Sequence, residues 1–438
     1  MTLTTPITVV RGRFLDIQKT VSQAQDIIDQ VRYIEDGVLI AKQGQIRWFG
    51  SWDDAQAHLP ANVEIQHYPE QLIIPGMIDT HIHFPQTEMV GAYGEQLLSW
   101  LNTYTFPTEI QFQDPSYAQK IAEFFIQELL KNGTTTALVF CTVHPESVDA
   151  LFEAAAQQQM RLIAGKVMMD RHAPEALCDT AESAYEDSKA LIGKWHGQGR
   201  ALYAITPRFA PTSTPEQLER AGQLKAEFPD VYVHTHLSEN KDEIAWVKDL
   251  FPAQKGYLDV YHHYGLTGNR SVFAHCVHLE DAEWQCMHET DSAIAFCPTS
   301  NLFLGSGLFP LKKTWQQQVK VGLGTDIGAG TSFSLLQTVN EAYKVQQLQG
   351  DKLSAFESLY HATLGGAKAL DLDDKLGNFN VGKEADFVVL NLKPTALQQL
   401  RQSRAKSLED SLFALFTMGD DRNIEATYIY GQKAYSQS

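Results

Sequence analysis

The sequence predicts an α/β protein in which a (β/α)8 TIM-type barrel is joined to a small β-sandwich domain formed from both termini. Three features of the 438-residue chain support this fold class. Eight apolar, strand-like runs recur through its middle, segments with helical spacing separate most of them, and short strand candidates dominate both ends. The expected boundaries are residues 1–70 and 373–438 for the sandwich and residues 71–372 for the barrel.

The eight apolar runs are typical of parallel strands that are buried on both faces. They lie at residues 72–83, 134–143, 161–169, 202–211, 231–239, 271–279, 293–301 and 319–327. Residues 83–114 form an unusually long connection after the first run, and such connections often shape a binding pocket. The alternative is an open doubly wound sheet, which usually has a glycine-rich phosphate turn after its first strand. This chain has Thr80-His81-Ile82-His83 there instead, so the barrel is favoured.

The two ends of the chain have a different pattern from the middle. Residues 7–17 and 37–50 near the N-terminus alternate short apolar stretches with glycine-containing turns. Residues 385–391 and 426–435 repeat this pattern near the C-terminus. The two pieces are therefore expected to assemble into one small β domain.

Composition narrows the classes of partner. The formal net charge is −18, so a nucleic-acid backbone or an anionic membrane would be repelled. The N-terminal segment lacks the basic and long apolar stretches of a secretory signal, and no apolar run is long enough to cross a bilayer. The five cysteines show no CxxC spacing and are expected to be free thiols. A cytoplasmic enzyme with a small-molecule substrate is the resulting expectation.

Ionisable side chains concentrate where the apolar runs end, which is the catalytic face of a (β/α)8 barrel. His81 and His83 are two residues apart on the first run, so both imidazoles point to the same side of the strand. His236, His275 and Asp326 come at the ends of three later runs. Neutral imidazoles with one carboxylate suit Zn²⁺, with Fe²⁺ as the second choice. The pattern predicts a metal site.

Other residues near these runs suggest proton chemistry. Glu239 lies three residues beyond His236, where its carboxylate can stand beside a metal-bound water without coordinating the ion. His236 is interpreted as a ligand and Glu239 as a proton shuttle, whereas His234 is interpreted as packing one layer lower in the barrel. Since a metal lowers the pKa of bound water to about 7, Asp326 would accept its proton and His275 would hold the hydroxide in line.

Several segments of the chain, taken together, resemble those of a known protein family. The segments at residues 75–86, 234–240, 273–280, 295–311 and 322–332 resemble those of the amidohydrolase superfamily. Residues 377–390 are similar to the segment with which such enzymes re-enter their small β domain. The resemblance covers essentially the whole chain and points to the one-metal deaminase branch.

The resemblance implies one metal ion per chain, bound by His81, His83, His236 and Asp326. His275 would touch the water or complete the coordination sphere. Two-metal members of the superfamily typically place a carbamylated lysine at the end of the fourth strand. The fourth run here has Arg208 at that point, and Lys166 lies on the third run, so a bridging lysine is not expected.

The resemblance also implies a substrate, a neutral purine base, with guanine expected to lose its amino group to give xanthine and ammonia. Gln86, Arg208 and Phe209 match the substrate-binding positions of this branch. Gln86 and Arg208 offer hydrogen bonds and Phe209 offers a ring face. The remaining expected substrate contacts come from the ligand and shuttle positions, His83, Glu239 and Asp326. A homodimer is expected.

Three rival functions stay open at this point. The nearest is a one-metal enzyme acting on another amino-heterocycle, such as cytosine, a triazine or an oxidised purine. The second is a two-metal hydrolase of cyclic amides, and the third is a non-enzymatic interaction protein. Because the whole set of ionisable residues is present, the third is disfavoured.

Overall fold

The computed structural model describes residues 7–93 and 97–437, so the first six residues of the N-terminal segment lie outside it. The strands, in chain order, are β1 (Ile7–Ile17), β2 (Val31–Lys42), β3 (Gln45–Ser51), β4 (Ile65–Pro75), β5 (Met77–His83), β6 (Thr134–Phe140), β7 (Arg161–Gly165), β8 (Val167–Met168), β9 (Ala201–Pro207), β10 (Tyr232–Leu237), β11 (Ser271–His275), β12 (Ala293–Phe296), β13 (Lys320–Leu323), β14 (Phe387–Leu390), β15 (Ile424–Ile429) and β16 (Gln432–Ser436).

The α-helices surround and connect these strands. They are α1 (Trp52–Ala55), α2 (Leu97–Trp100), α3 (Phe106–Glu109), α4 (Pro115–Lys131), α5 (Pro145–Gln157), α6 (Ala181–Trp195), α7 (Pro215–Glu227), α8 (Lys241–Leu250), α9 (Tyr257–His263), α10 (Asp281–Glu289), α11 (Pro298–Phe303), α12 (Leu311–Gln317), α13 (Leu335–Leu348), α14 (Ala355–Ala362), α15 (Leu364–Ala369), α16 (Ala396–Gln402) and α17 (Leu408–Met418). Among the described residues, no helix is both long and apolar enough to span a bilayer.

Parallel strands form the barrel. Its eight main strands are neighbours in the order β5, β6, β7, β9, β10, β11, β12 and β13, and the short β8 pairs with β9. Each corresponds to one of the eight apolar runs, which confirms the predicted fold class. The interior is filled by side chains from successive strands, as a packed barrel requires. They include Ile78, Leu138, Ile163, Tyr232 and Val272.

Hydrogen bonds join the first and last strands of the barrel. The Thr80 hydroxyl on β5 donates to the Leu323 carbonyl on β13 at 2.9 Å. Just beyond β13, the Asp326 N–H donates to the His81 carbonyl at 2.9 Å, and the His83 N–H donates to the Ile327 carbonyl at 2.9 Å. The closure therefore fixes the end of β5 against the residues that follow β13.

The second sheet is assembled from both ends of the chain, as predicted. Its order is β16-β15-β14-β4-β1-β2-β3, and neighbours are antiparallel except for the parallel pair β1 and β4. Strand β4 leads directly into β5 through Gly76. A Cβ at that position would lie only 2.0 Å from the Thr135 hydroxyl, so glycine is needed where the chain passes from one sheet to the other.

The C-terminal segment contains two helices in addition to the predicted strands. Helix α17 buries Leu412 and Leu415 and packs against the barrel helices α13 and α14. Its apolar residues recur at helical spacing, a signal that the strand-based interpretation of the last 60 or so residues overlooked. The segment therefore adds a helical layer to the barrel as well as strands to the terminal sheet.

Candidate active site

The ionisable residues selected from the sequence meet at the C-terminal ends of the barrel strands. His81 and His83 lie on β5, His236 on β10 and His275 at the end of β11, and Asp326 follows β13. His275 and Asp326 have positive φ angles of 71° and 52°. Non-glycine residues in this region cost of order 1–3 kcal/mol each and often mark functional sites. The backbone is therefore strained where it aims these side chains inward.

Four side-chain atoms converge on one point. His83 Nε2 lies 3.2 Å from His81 Nε2 and 3.2 Å from His236 Nε2. Asp326 Oδ1 lies 3.2 Å from His81 Nε2 and 3.4 Å from His83 Nε2. Ligands around a tetrahedral zinc ion with bonds of about 2.0–2.1 Å are separated from one another by roughly 3.3–3.4 Å. These four separations suit ligand atoms that share one metal ion. His275 forms a second group with His81 and Asp326, and its Nε2 lies 3.7 Å from Asp326 Oδ2.

The outer ring nitrogens of two histidines are already engaged. His236 Nδ1 donates to the Arg208 carbonyl at 2.7 Å, which leaves Nε2 without a proton and free to bind a metal. His81 Nδ1 lies 2.8 Å from His234 Nε2. His234 therefore lies behind His81 rather than in the ligand cluster, and its hydrogen bond orients the His81 ring.

Burial and neighbouring charges set the protonation of this cluster. Burial lowers the pKa of His81, and it lowers that of His83 to about 3. Burial alone would raise the pKa of Asp326, but the adjacent His81 and His83 outweigh it and hold that pKa well below its usual value. At neutral pH the cluster therefore offers unprotonated imidazoles and one carboxylate, the forms that bind metal.

Glu239 lies beside the cluster but outside it. Its carboxylate accepts a hydrogen bond from the Ser306 hydroxyl at 3.1 Å and lies 3.5 Å from His275 Nε2. Burial, and then the charge of Asp326, raise the pKa of Glu239 to about 8. The other ring nitrogen of His275, Nδ1, donates to Asn301 Oδ1 at 2.8 Å. Glu239 is therefore a buried carboxyl group that can gain or lose a proton near neutral pH.

A cavity of about 420 Å³ opens directly above these groups. Small-molecule sites are mostly apolar with a few fixed polar groups, and the lining of this cavity combines both kinds of side chain. The long connection after β5 supplies one wall. The lining residues include Gln86, Leu97, Trp100, Leu101, Arg208, Phe209 and Leu304, together with His83, His236, Glu239, Glu243, His275 and Asp326.

The structure brings together all the residues selected from the sequence and adds several that sequence reasoning missed. Arg208 and Gln86 both bond to the buried Glu109. Glu243 accepts the Glu239 N–H at 3.0 Å. Asn301 and Ser306, described above, are also additions. Asn301 and Ser306 lie within segment 295–311, whose resemblance to the family could have pointed to them. Glu109 lies in the long connection after β5, where no motif marks it.

Lys166 is not among the residues that line the cavity. Its ammonium group bonds to Asp179 Oδ2 at 2.6 Å and to the Val167 carbonyl at 3.3 Å. The charge of the buried Lys166 is therefore already compensated by a carboxylate. The expectation that no lysine bridges two metal ions here stays a prediction.

Comparison with known proteins places this chain among related sequences and folds. A model of the amidohydrolase family matches residues 72–434. A guanine deaminase of Escherichia coli (strain K12) is 62% identical over 429 residues, which is 98% of this chain and 98% of that protein. A solved structure of E. coli guanine deaminase matches with a TM-score of 0.96 and 60% identity, covering 99% of this chain and all of that one.

A second solved structure includes a bound base. Guanine deaminase from C. acetobutylicum, with guanine in its active site, matches with a TM-score of 0.88 and 31% identity. The match covers 98% of this chain and 100% of that one. The likeness therefore extends over both the barrel and the terminal sheet.

Proposed function

This chain belongs to the amidohydrolase family, and we propose that it hydrolyses guanine to xanthine and ammonia. The observation that carries the proposal is the convergence, at one cavity, of four candidate ligand residues, a buried glutamate and two polar side chains suited to a purine. The similarity to guanine deaminases supports the choice of base.

The proposed cofactor is one zinc ion per chain, with Fe²⁺ as the second choice. His81, His83, His236 and Asp326 would hold it, because three pairs of their ligand atoms lie 3.2 Å apart, a separation that suits a tetrahedral site. When bound, the ion would supply a Lewis acid that activates water at neutral pH. The ligand set accommodates either metal, so the metal content of the purified protein decides between them.

The proton transfers are assigned to the chain's own residues. Glu239 would deliver a proton to a ring nitrogen of the base as water attacks the amino-bearing carbon. The proton that the attacking water gives up would be relayed by Asp326 and Glu239 to the amino group, which leaves as ammonia, and Glu239 would regain its own proton from the new hydroxyl group as the carbonyl forms. Asp326 would accept a proton from the attacking water, and His275, fixed by Asn301, would orient that water. General acid–base catalysis of this kind typically contributes about 10²–10⁴-fold to the rate.

Substrate recognition is assigned to the other side of the cavity. Arg208 uses Nη1 to bond Glu109, while its other guanidinium nitrogens are available to a carbonyl oxygen of the base. Gln86 can offer both a donor and an acceptor, and Phe209 can pack against the ring. Trp100, across the cavity, would form a second aromatic wall.

Three further features are part of the proposal on the basis of the family resemblance. We propose a cytoplasmic homodimer that acts in purine catabolism or salvage. We also propose that residues 71–372 form the catalytic domain, with residues 1–70 and 373–438 forming a second domain. Size-exclusion chromatography with light scattering would test the dimer directly.

Activity and metal content together test the function. Zinc-loaded protein is expected to release one ammonia per guanine consumed, with the ultraviolet spectrum changing to that of xanthine. His81→Ala, which removes one ligand, is expected to hold less metal and to lose turnover. Faster ammonia release from cytosine, a triazine or an oxidised purine would contradict the choice of guanine, and two metal equivalents per chain would contradict the one-metal assignment.

A further inference from the structure

Glu109 is a buried carboxylate in the long connection after β5. It is the last residue of α3, only 1% of its surface is exposed, and it lies apart from the converging ligand atoms. A buried charge is costly unless other groups compensate for it. The partners of Glu109 are therefore the first indication of its role.

Both partners of Glu109 are residues assigned to the substrate. Arg208 Nη1 donates to Glu109 Oε1 at 3.0 Å and to Oε2 at 2.8 Å. Gln86 Nε2 donates to Glu109 Oε1 at 3.2 Å. Arg208 is itself only 2% exposed, so the carboxylate neutralises a guanidinium that has little contact with water.

These contacts also fix the orientation of the Gln86 amide. A carboxylate can only accept hydrogen bonds, so the Gln86 atom facing Glu109 must be the NH₂ group. On the opposite side, the Gly328 N–H can only donate, and it lies 3.1 Å from Gln86 Oε1. The amide therefore cannot flip without losing both bonds, and it presents one N–H and one lone pair in a fixed arrangement.

We propose that Glu109 is a positioning residue that sets the specificity of the cavity for a neutral base. This inference rests on the proposed function and concerns the same site. Glu109 holds Arg208 and Gln86 in one arrangement and cancels the Arg208 charge, so the recognition side of the cavity carries no net charge. Without the carboxylate, Arg208 would carry a buried, uncompensated charge and both side chains would lose a fixed partner.

The principal test is Glu109→Gln, which keeps the size of the side chain and removes its charge. We expect KM for guanine to rise about tenfold or more while kcat changes less than about threefold, because the lost interaction acts on binding. Bound zinc is expected to stay at the level of the unaltered protein. The matched control is Glu88→Gln, in the same connection, where an exposed carboxylate bonds to the Tyr117 hydroxyl outside the cavity.

A double variant tests whether Glu109 acts through Arg208. Arg208→Met alone should raise KM, and adding Glu109→Gln to it should change KM by less than about twofold, because residues acting as a unit are not additive. Glu109→Asp retains the charge and is expected to recover part of the lost affinity. It also serves as the test variant if Glu109→Gln does not fold.

Guanine binding measured by calorimetry in a Glu239→Gln background, in which turnover is expected to be nearly lost, gives the same comparison. A Glu109→Gln variant that binds guanine as tightly as Glu88→Gln, or whose effect adds in full to that of Arg208→Met, would overturn the inference while leaving the proposed function intact. If guanine binds the unaltered protein and the variants differ as expected but no ammonia is released, the function fails and the positioning role stands. Loss of zinc from Glu109→Gln would also overturn the inference.

Discussion

The two ends of the barrel each bury a cluster of ionisable side chains, and the clusters are built differently. At the C-terminal ends of the strands, three imidazoles and one carboxylate direct their free atoms at a single point. At the opposite end, Arg161 at the start of β7 and Arg200 just before β9 meet two acids that immediately precede β14 of the terminal sheet.

In the second cluster every charge has an opposite charge beside it. Arg161 Nε donates to Glu384 Oε2 at 2.9 Å, and Arg200 Nη2 donates to the same oxygen at 2.5 Å. Arg200 also bonds both oxygens of Asp386, with Nη1 to Oδ1 at 3.1 Å. Asp386 in turn accepts the Tyr430 N–H at 2.7 Å, which ties the cluster to the end of β15.

The contrast separates a site arranged for a ligand from a contact arranged for stability. Around the first cluster the unprotonated nitrogens face one another, an arrangement that is favourable only around a cation. The second cluster needs no bound ion, because its donors and acceptors satisfy one another. This division agrees with the general behaviour of the fold, in which catalysis is located at one barrel face and stability at the other.

The largest effect on activity should come from a variant at the C-terminal ends of the barrel strands. Glu239→Gln is expected to lower turnover of guanine by about 10²–10⁴-fold, because the amide cannot carry the proton. Bound zinc and the thermal midpoint are expected to change little, since Glu239 lies outside the cluster of ligand atoms. The matched control is Glu283→Gln, a buried carboxylate that accepts the Leu258 N–H and does not line the cavity. Substantial activity in Glu239→Gln would contradict the shuttle role.

A variant in the second cluster, at the opposite end of the barrel, should lose stability rather than activity. Arg200→Met leaves Asp386 without its charged partner, and breaking a buried ion pair typically costs about 3–5 kcal/mol of stability. We expect a clear drop in Tm, while folded protein retains its kcat and zinc content. Arg220→Met is the control, because its pair with Glu182 is exposed and such pairs contribute about 0–1 kcal/mol. A catalytic defect in folded Arg200→Met protein would show that the two ends are not independent.

The sequence predicted the first cluster better than the second, for a physical reason. Alternation along a strand and the shared edge of parallel strands are local rules, so the sequence alone was enough to assign His81, His83, His236 and Asp326 to one face. The pairing of Arg200 with Asp386 joins residues 186 positions apart that precede strands of different sheets. No local pattern marks such a contact.

The residues missed in the cavity have the same explanation. Glu109 lies in a connection whose path depends on packing rather than on a repeating pattern, and a single acid in a helix-like stretch is usually exposed. His234 was expected one layer lower, but strand alternation alone could not reveal its bond to His81. The eight strands and their order followed from periodicity, whereas α17 was obscured by the strand candidates around it.

The smallest expected effect is a pH dependence confined to the second cluster. Burial alone would raise the pKa of Glu384, but the hydrogen bond from Arg161 and the charge of Arg200 outweigh it and lower that pKa. The carboxylate therefore stabilises the fold above its ordinary pKa of about 4.3, and this contribution is lost as pH falls through the lower folded-state value. Glu384→Gln should thus have a lower Tm than the unaltered protein at pH 7, and the gap should narrow below about pH 4. Glu182→Gln, in the exposed pair, should show almost no gap at either pH, and a Glu384→Gln gap that stayed constant would mean that the charge of Glu384 does not stabilise the contact between the sheets.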